Sequence, residues 1–313
     1  MAGADDSRRV VLVTGCSAGG IGHRLALELA TSHSCLVYAS ARNPGKVSAE
    51  LAGLDNVRVM GLDVCCNDAV IAAVAQIERE AGRIDVVINN AGFICIGPVT
   101  DVPTSDLRDS FDVNVLGAHR VCRAVAPLMI RQRQGTIVNV GSVSGYKASP
   151  WAGIYCTSKA AIHMLSDALR MELRPFNVHV VVLAPGGVVS NLASHTAPTL
   201  PENSPFAPAL PAIKQRAVNS QIPGKAWTAG RFARRVVPLI LARHPRPYIS
   251  YGYLAPNMWA MYFLPLFISD WVLSRATRVG LLYQAPAKPP SLARPLLLLV
   301  ALLGALALAY FYR

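Results

Sequence analysis

Tyr155-Cys156-Thr157-Ser158-Lys159 is the stretch on which the rest of the chain is organised. A tyrosine and a lysine four residues apart lie one turn from each other on a single helix face. A free phenol loses its proton near pH ~10. An ammonium group held close favours the phenolate, and such a phenol can pass a proton at neutral pH. The same spacing also occurs on ordinary exposed helices, so the neighbouring sequence must decide.

Upstream, Ser142 closes the apolar run Gly135-Thr136-Ile137-Val138-Asn139-Val140, which has the character of a buried strand. Asn89-Asn90-Ala91-Gly92 closes another, Ile84-Asp85-Val86-Val87-Ile88. Val10-Val11-Leu12-Val13 opens into Thr14-Gly15-Cys16-Ser17-Ala18-Gly19-Gly20-Ile21-Gly22, a glycine-rich turn ahead of a helix predicted over 21–33. Glycines there let the backbone turn sharply and let an anion approach the helix amides. Strand and helix patterns alternate from 10 to 183, which predicts an α/β fold: a doubly wound parallel sheet with helices on both faces and ligands at the C-terminal strand ends.

These four stretches together resemble the short-chain dehydrogenase/reductase superfamily over residues 8 to 250. The resemblance implies a Rossmann-type fold and a catalytic set of Asn114, Ser142, Tyr155 and Lys159. Tyr155 would protonate the developing alkoxide, Lys159 would lower its pKa and bind the nicotinamide ribose, and Ser142 would hold the carbonyl oxygen. Asn114, in a helix predicted over 110–133, would disturb that helix and hold a relay water. Cofactor contacts would come from Gly15, Ser17, Gly20, Ile21, Gly22, Asp63, Asn89, Ala91, Gly92, Tyr155, Lys159, Pro185, Gly186 and Val188. The glycine-rich turn is one residue longer than the family's usual form, and Ser190 stands near the place of a usual threonine. The strand ending Ser40-Ala41-Arg42 carries no acidic residue for a ribose 2′-hydroxyl, whereas Arg42 can pair with a 2′-phosphate. The expected cofactor is therefore NADPH.

Pro175-Phe176-Asn177-Val178, Ala184-Pro185-Gly186-Gly187-Val188 and Tyr248-Ile249-Ser250-Tyr251-Gly252 look like the membrane-associated 1-acyldihydroxyacetone-phosphate reductases. So do Gly19-Gly20-Ile21-Gly22 and Pro150-Trp151-Ala152-Gly153. That resemblance implies reduction of a lipid ketone. Steroid, retinoid and 3-ketoacyl reductases share many of these phrases and remain open. A lipid hydrolase is disfavoured because Gly141-Ser142-Val143-Ser144-Gly145 places Val143 where a nucleophile elbow needs serine. A non-catalytic binding protein does not need the complete Asn-Ser-Tyr-Lys set.

The 313 residues suffice for one large domain. Residues 1–253 are expected to form it, with a substrate lid over the proline-rich segment 190–225, where the regular helix and strand patterns stop. The net charge of +12 is concentrated at the C-terminal end: residues 201–313 carry 13 Lys/Arg against 2 Asp/Glu, and residues 1–200 carry 17 against 16. A basic C-terminal third interleaved with apolar segments suits an anionic membrane surface better than nucleic acid. A solvated basic face is the alternative. Segment 254–284 has a density of aromatics suited to a membrane interface or to packing beside a pocket. Residues 285–295 form a Pro-rich linker, and 296–312 are free of charge. Seventeen helical residues span about 26 Å, near the ~27 Å hydrocarbon core of the endoplasmic reticulum. The expectation is a C-terminal transmembrane helix, a tail anchor leaving the enzyme domain in the cytosol. Seven cysteines without paired metal spacing are expected to be reduced thiols, with no metal site. The polar N-terminus does not have the form of a signal peptide. A homodimer is compatible with the resemblance.

Overall fold

The computed structural model describes residues 8–191 and 198–282. Short apolar runs become strands because they are buried on both faces. Val10–Thr14 (β1), Leu36–Ala41 (β2) and Gly135–Val140 (β5) are buried at every residue. With Val57–Gly61 (β3), Val86–Asn89 (β4), Val178–Leu183 (β6) and Tyr248–Ile249 (β7), they form one sheet in the order β3-β2-β1-β4-β5-β6-β7. Every neighbouring pair is parallel. The strand order reverses between β1 and β4, where such sheets open a crevice beyond their C-terminal ends.

Alternation along β1 separates the two cores. Val11 and Val13 join the layer under Ile21–Ser32 (α1) and Ala229–Ile240 (α8). Val10 and Leu12 join the layer under Asn67–Ala81 (α3) and Ala118–Gln132 (α5). Fully burying one such side chain contributes about 1.5–3 kcal/mol. Gly153–Leu173 (α6) packs on β6 and carries Leu173 into the second layer. The short helix Ala49–Ala52 (α2) is capped by the Ser48 side chain.

The helix predicted over 110–133 is three pieces. Thr104–Phe111 (α4) leads into a π-helical turn, Asp112–Gly117, and then α5. The wider turn holds Asn114, whose side chain bonds the Phe93 backbone and Ser158; such bulges are frequent at functional sites. Segment 190–225, read as irregular, contains the helix Leu210–Val218 (α7). Pro211 in its first turn does not break it, because that N–H needs no intrahelical partner. Pro238 does not end α8 at once; the helix runs on to Ile240. Segment 254–284 divides at Pro265 into Ala255–Tyr262 (α9) and Leu266–Ala276 (α10). Among the described residues no helix is long and apolar enough to cross a membrane. The expected transmembrane helix at 296–312 and the linker at 285–295 lie outside the described residues.

Candidate active site

A cleft of about 1100 Å³ opens at the C-terminal strand ends. One half is a glycine cradle. Gly15 has φ +74°, and a Cβ there would stand 2.9 Å from the Ala91 Cα. The glycine is therefore required by both conformation and contact. Gly15, Ser17, Gly20, Ile21, Ala91 and Gly92 line this half, and α1 begins at Ile21, so its first amides face the space. The extra residue is taken up by Gly19 at φ +76°, with the Gly20 N–H donating back to the Ser17 carbonyl at 3.2 Å. Such a cradle, with its walls set too close for side chains, fits a dinucleotide pyrophosphate. Beyond β2, Arg42 and Lys46 line one end, and Asp63 lines the wall after β3.

Two expected contacts stand behind the wall. Gly22 packs α1 closely: a Cβ there would collide with the Asn90 amide and lie 2.6 Å from the Gly15 carbonyl. Asn89 is buried between strands, donating to Asn139 Oδ1 at 2.8 Å. Asn139 in turn donates to Ser166 Oγ at 2.9 Å. Asn89 therefore ties β4 to β5 and does not face the cleft. The next residue, Asn90, does face it, and its amide donates to the Thr14 and Gly15 carbonyls at 2.9 and 3.0 Å. Thr14 Oγ1 accepts the backbone N–H groups of Asn90 and Ala91, both at 3.0 Å. Sequence reasoning missed Asn90 because only one of two adjacent asparagines can face the cleft, and the motif does not say which.

The other half holds the acid–base groups. Tyr155 and Lys159 lie one turn apart on α6, and both line the cleft with Ser142. Lys159 is buried and donates to the Val140 carbonyl at 2.8 Å. Burial lowers its pKa to about 8. Its Nζ is 5.8 Å from the centre of the Tyr155 ring. Burial pushes the Tyr155 phenol above its ordinary value. Ser142 and, more weakly, Arg216 oppose this, and the Cys156 thiol adds to it. Burial is the largest influence on the phenol, and Ser142 is the main group acting against it. Ser142 Oγ accepts the Ser144 N–H at 3.1 Å, and the Ser142 N–H donates to His163 Nε2 at 3.4 Å. Burial holds His163 near pKa 4, so at neutral pH the ring is uncharged and free to accept that bond.

Asn114 is behind this half. Its amide donates to the Phe93 carbonyl at 2.8 Å and to Ser158 Oγ at 2.9 Å, and its oxygen accepts the Phe93 N–H at 2.8 Å. It braces the loop after β4. A Cβ on Gly92 would lie 3.4 Å from the Asn114 oxygen and 4.0 Å from Lys159 Nζ, so the three positions converge. Pro185, Gly186 and Val188 form the roof. The Gly186 and Gly187 N–H groups donate to the Tyr251 and Tyr253 carbonyls at 2.8 and 2.7 Å. Ser190 lines the cleft, and its carbonyl accepts from Gln221 at 2.7 Å.

The short chain dehydrogenase family model matches residues 9–200. The chain belongs to the short-chain dehydrogenase family. It is 38% identical over 268 residues to the short-chain dehydrogenase ptmH of Penicillium ochrochloron, covering 85% of this chain and 96% of the relative. The NADPH-dependent 1-acyldihydroxyacetone phosphate reductase of Saccharomyces cerevisiae is 32% identical, covering 86% of this chain and 89% of its own. A crystal structure of a short-chain dehydrogenase from Streptomyces avermitilis superposes with a TM-score of 0.72 at 26% identity, covering 88% of this chain and 98% of that one. This short-chain dehydrogenase is an oxidoreductase acting on CH–OH or ketone groups of a small molecule, with NAD(P) as cofactor.

Its substrate half has a wall that the family motifs do not reveal. Leu254, Met258 and Leu273 from the α9–α10 hairpin line the cleft, as do Ser149, Arg216 and Tyr253. Trp151 Nε1 donates to the Thr277 carbonyl at 2.8 Å and fastens the end of α10 beside the start of α6. Ala209, Ile213 and Ala217 pack on Trp151, seating α7 against the same rim.

Proposed function

We propose that this short-chain dehydrogenase reduces 1-acyldihydroxyacetone phosphate to 1-acylglycerol 3-phosphate with NADPH. The observation that carries the reading is that Ser142 and Tyr155 share one cleft with an apolar wall of Leu254, Met258 and Leu273. Such a wall suits an acyl chain. The activity of the Saccharomyces cerevisiae relative supports it. NADPH, when bound, supplies the hydride. Ser142 then offers its hydroxyl to the carbonyl oxygen where negative charge develops. Tyr155 delivers a proton to that oxygen, and Lys159 stabilises the phenolate left behind. Asn114 keeps the loop at Gly92 and Phe93 in place beside Lys159.

NADPH oxidation with 1-acyldihydroxyacetone phosphate is the direct test. Turnover of steroid or retinoid ketones without any of this substrate would replace the reading with its nearest rival. For the cofactor, Arg42 and Lys46 at the end of β2 are the groups that would meet a 2′-phosphate. Arg42→Ala is expected to raise the KM for NADPH about tenfold and leave that for NADH unchanged, the loss of one charge-assisted contact. Equal losses with both cofactors would reduce Arg42 to a structural role.

The same proposal places the enzyme on a membrane, with the endoplasmic reticulum as its most fitting address and the catalytic domain in the cytosol. The outer face of the α9–α10 hairpin exposes Tyr262 (61%), Phe263 (61%), Leu266 (70%) and Phe267 (65%). Clustered apolar side chains at this exposure suit an interfacial contact, and their helices also wall the cleft. Removing residues 291–313 is expected to abolish membrane association that survives high salt. A weaker, salt-sensitive binding to anionic vesicles should remain, and Phe263→Ser with Phe267→Ser should remove it. Vesicle flotation at low and high salt reads both steps. High-salt-resistant binding by the truncated chain would move the anchor elsewhere.

A further inference from the structure

We propose that Arg216, held by Ser149, is the receptor for the phosphate of the ketone substrate. This rests on the reading of the cleft as a ketone-reducing site and adds what the far end of the substrate must carry.

Arg216 lies on α7 and faces the same cleft as Tyr155. It is half-buried. Its Nε and Nη2 both donate to Ser149 Oγ at 3.3 Å, and Ser149 is itself buried. The hydroxyl thus fixes the guanidinium through one edge. Of its five N–H donors, the two on Nη1 and one on Nη2 have no protein partner among the described residues. No carboxylate pairs with it there. Residues 201–313 hold only two acidic side chains, Glu202 and Asp270, so the region that builds this rim has few anions to offer.

A partly desolvated cation without an anion is costly unless something supplies the charge. Here the open donors point to a ligand group with several anionic oxygens, which a guanidinium meets with parallel hydrogen bonds. The position separates this subsite from the cofactor's own phosphates. Those would be met by the glycine cradle and by Arg42 and Lys46 beyond β2, whereas Arg216 is tied to Ser149, just ahead of the helix that carries Tyr155. A phosphate carried by the ketone fits that placement. The acyl chain then runs along Leu254, Met258 and Leu273.

The test compares two ketones, 1-acyldihydroxyacetone phosphate and the same acyl-dihydroxyacetone with a free hydroxyl in place of the phosphate. In the full-length enzyme, Arg216→Gln is expected to raise the KM for the phosphorylated ketone by about 10- to 100-fold, the range for losing charge-assisted hydrogen bonds to one anion. The KM for NADPH and the KM for the hydroxyl ketone should stay within about twofold, any change in kcat should be the same for both ketones, and Arg216→Lys should recover part of the loss in KM. A loss of equal size on both ketones, or a raised KM for NADPH, would overturn the subsite. Should the wild-type enzyme reduce neither ketone, the substrate reading fails by itself. Equilibrium binding of 1-acylglycerol 3-phosphate to the enzyme–NADPH complex then decides. Binding weakened by Arg216→Gln supports the subsite, and equal binding to both proteins, or none to wild type, overturns it.

Discussion

Tyr155→Phe is expected to lower the rate of ketone reduction by about 10²- to 10⁴-fold, the span of a positioned general acid. Phenylalanine keeps the ring and the packing on α6 but has no proton to deliver. NADPH binding should persist, because the glycine cradle, Arg42 and Lys46 lie in the other half of the cleft. Stopped-flow hydride transfer and cofactor fluorescence separate the two effects. The pH dependence carries a further sign. Reduction needs the protonated phenol, and burial holds its pKa above the ordinary value. The protonated form therefore persists throughout the neutral range, and the reductive rate should fall only on the alkaline side. Near-normal turnover by the purified variant would remove Tyr155 from the proton path.

Lys159→Met should abolish turnover and at the same time make the protein more stable at neutral pH. Burial lowers the folded-state pKa of Lys159 from 10.5 to about 8. Between those values the unfolded chain holds a proton that the folded chain has released, so wild-type stability rises with pH across this window. Below pH 8 the full cost of a buried ammonium is present, about 3 kcal/mol. Above pH 10.5 it is gone. Methionine is of similar length and carries no charge. Its gain at pH 7 should be about 2 kcal/mol, after about 1 kcal/mol for the lost bond to the Val140 carbonyl. That gain should shrink as pH rises through the window and give way, at its upper end, to a deficit of about 1 kcal/mol for the lost bond. Urea denaturation of the cofactor-free proteins at pH 7, 8, 9 and 10 measures it. Parallel stability curves for the two proteins would mean that Lys159 carries no such cost.

The sequence by itself determined the sheet and much of the cleft floor. All-apolar runs such as Val10–Val13 can be satisfied only by burial on both faces, so they dictate parallel strands with helices above and below. The one-turn spacing of Tyr155 and Lys159 put them on one helix face wherever that helix went. A Gly-rich turn between strand and helix pointed to an anion at the helix amides. Only the tertiary structure decided matters that depend on which side of a strand a residue falls or on what packs across it. Asn89 and Asn90 are equivalent in the chain, yet β4 turns one toward Asn139 and the other toward the cleft. Asn114 lies in a π-turn and meets Phe93, a contact across 21 residues. Segment 190–225 looked irregular because its prolines hide α7, whose place is set by packing on Trp151. Arg216 carries no motif at all. Nothing in its neighbours along the chain distinguishes it from Lys214 or Lys225. It becomes a candidate receptor only because α7 docks beside α6 and brings a cation without a carboxylate to the Ser149 hydroxyl. Local periodicity is written in adjacent residues, whereas the side of a strand and the partner of a charge follow from contacts between residues far apart in the chain.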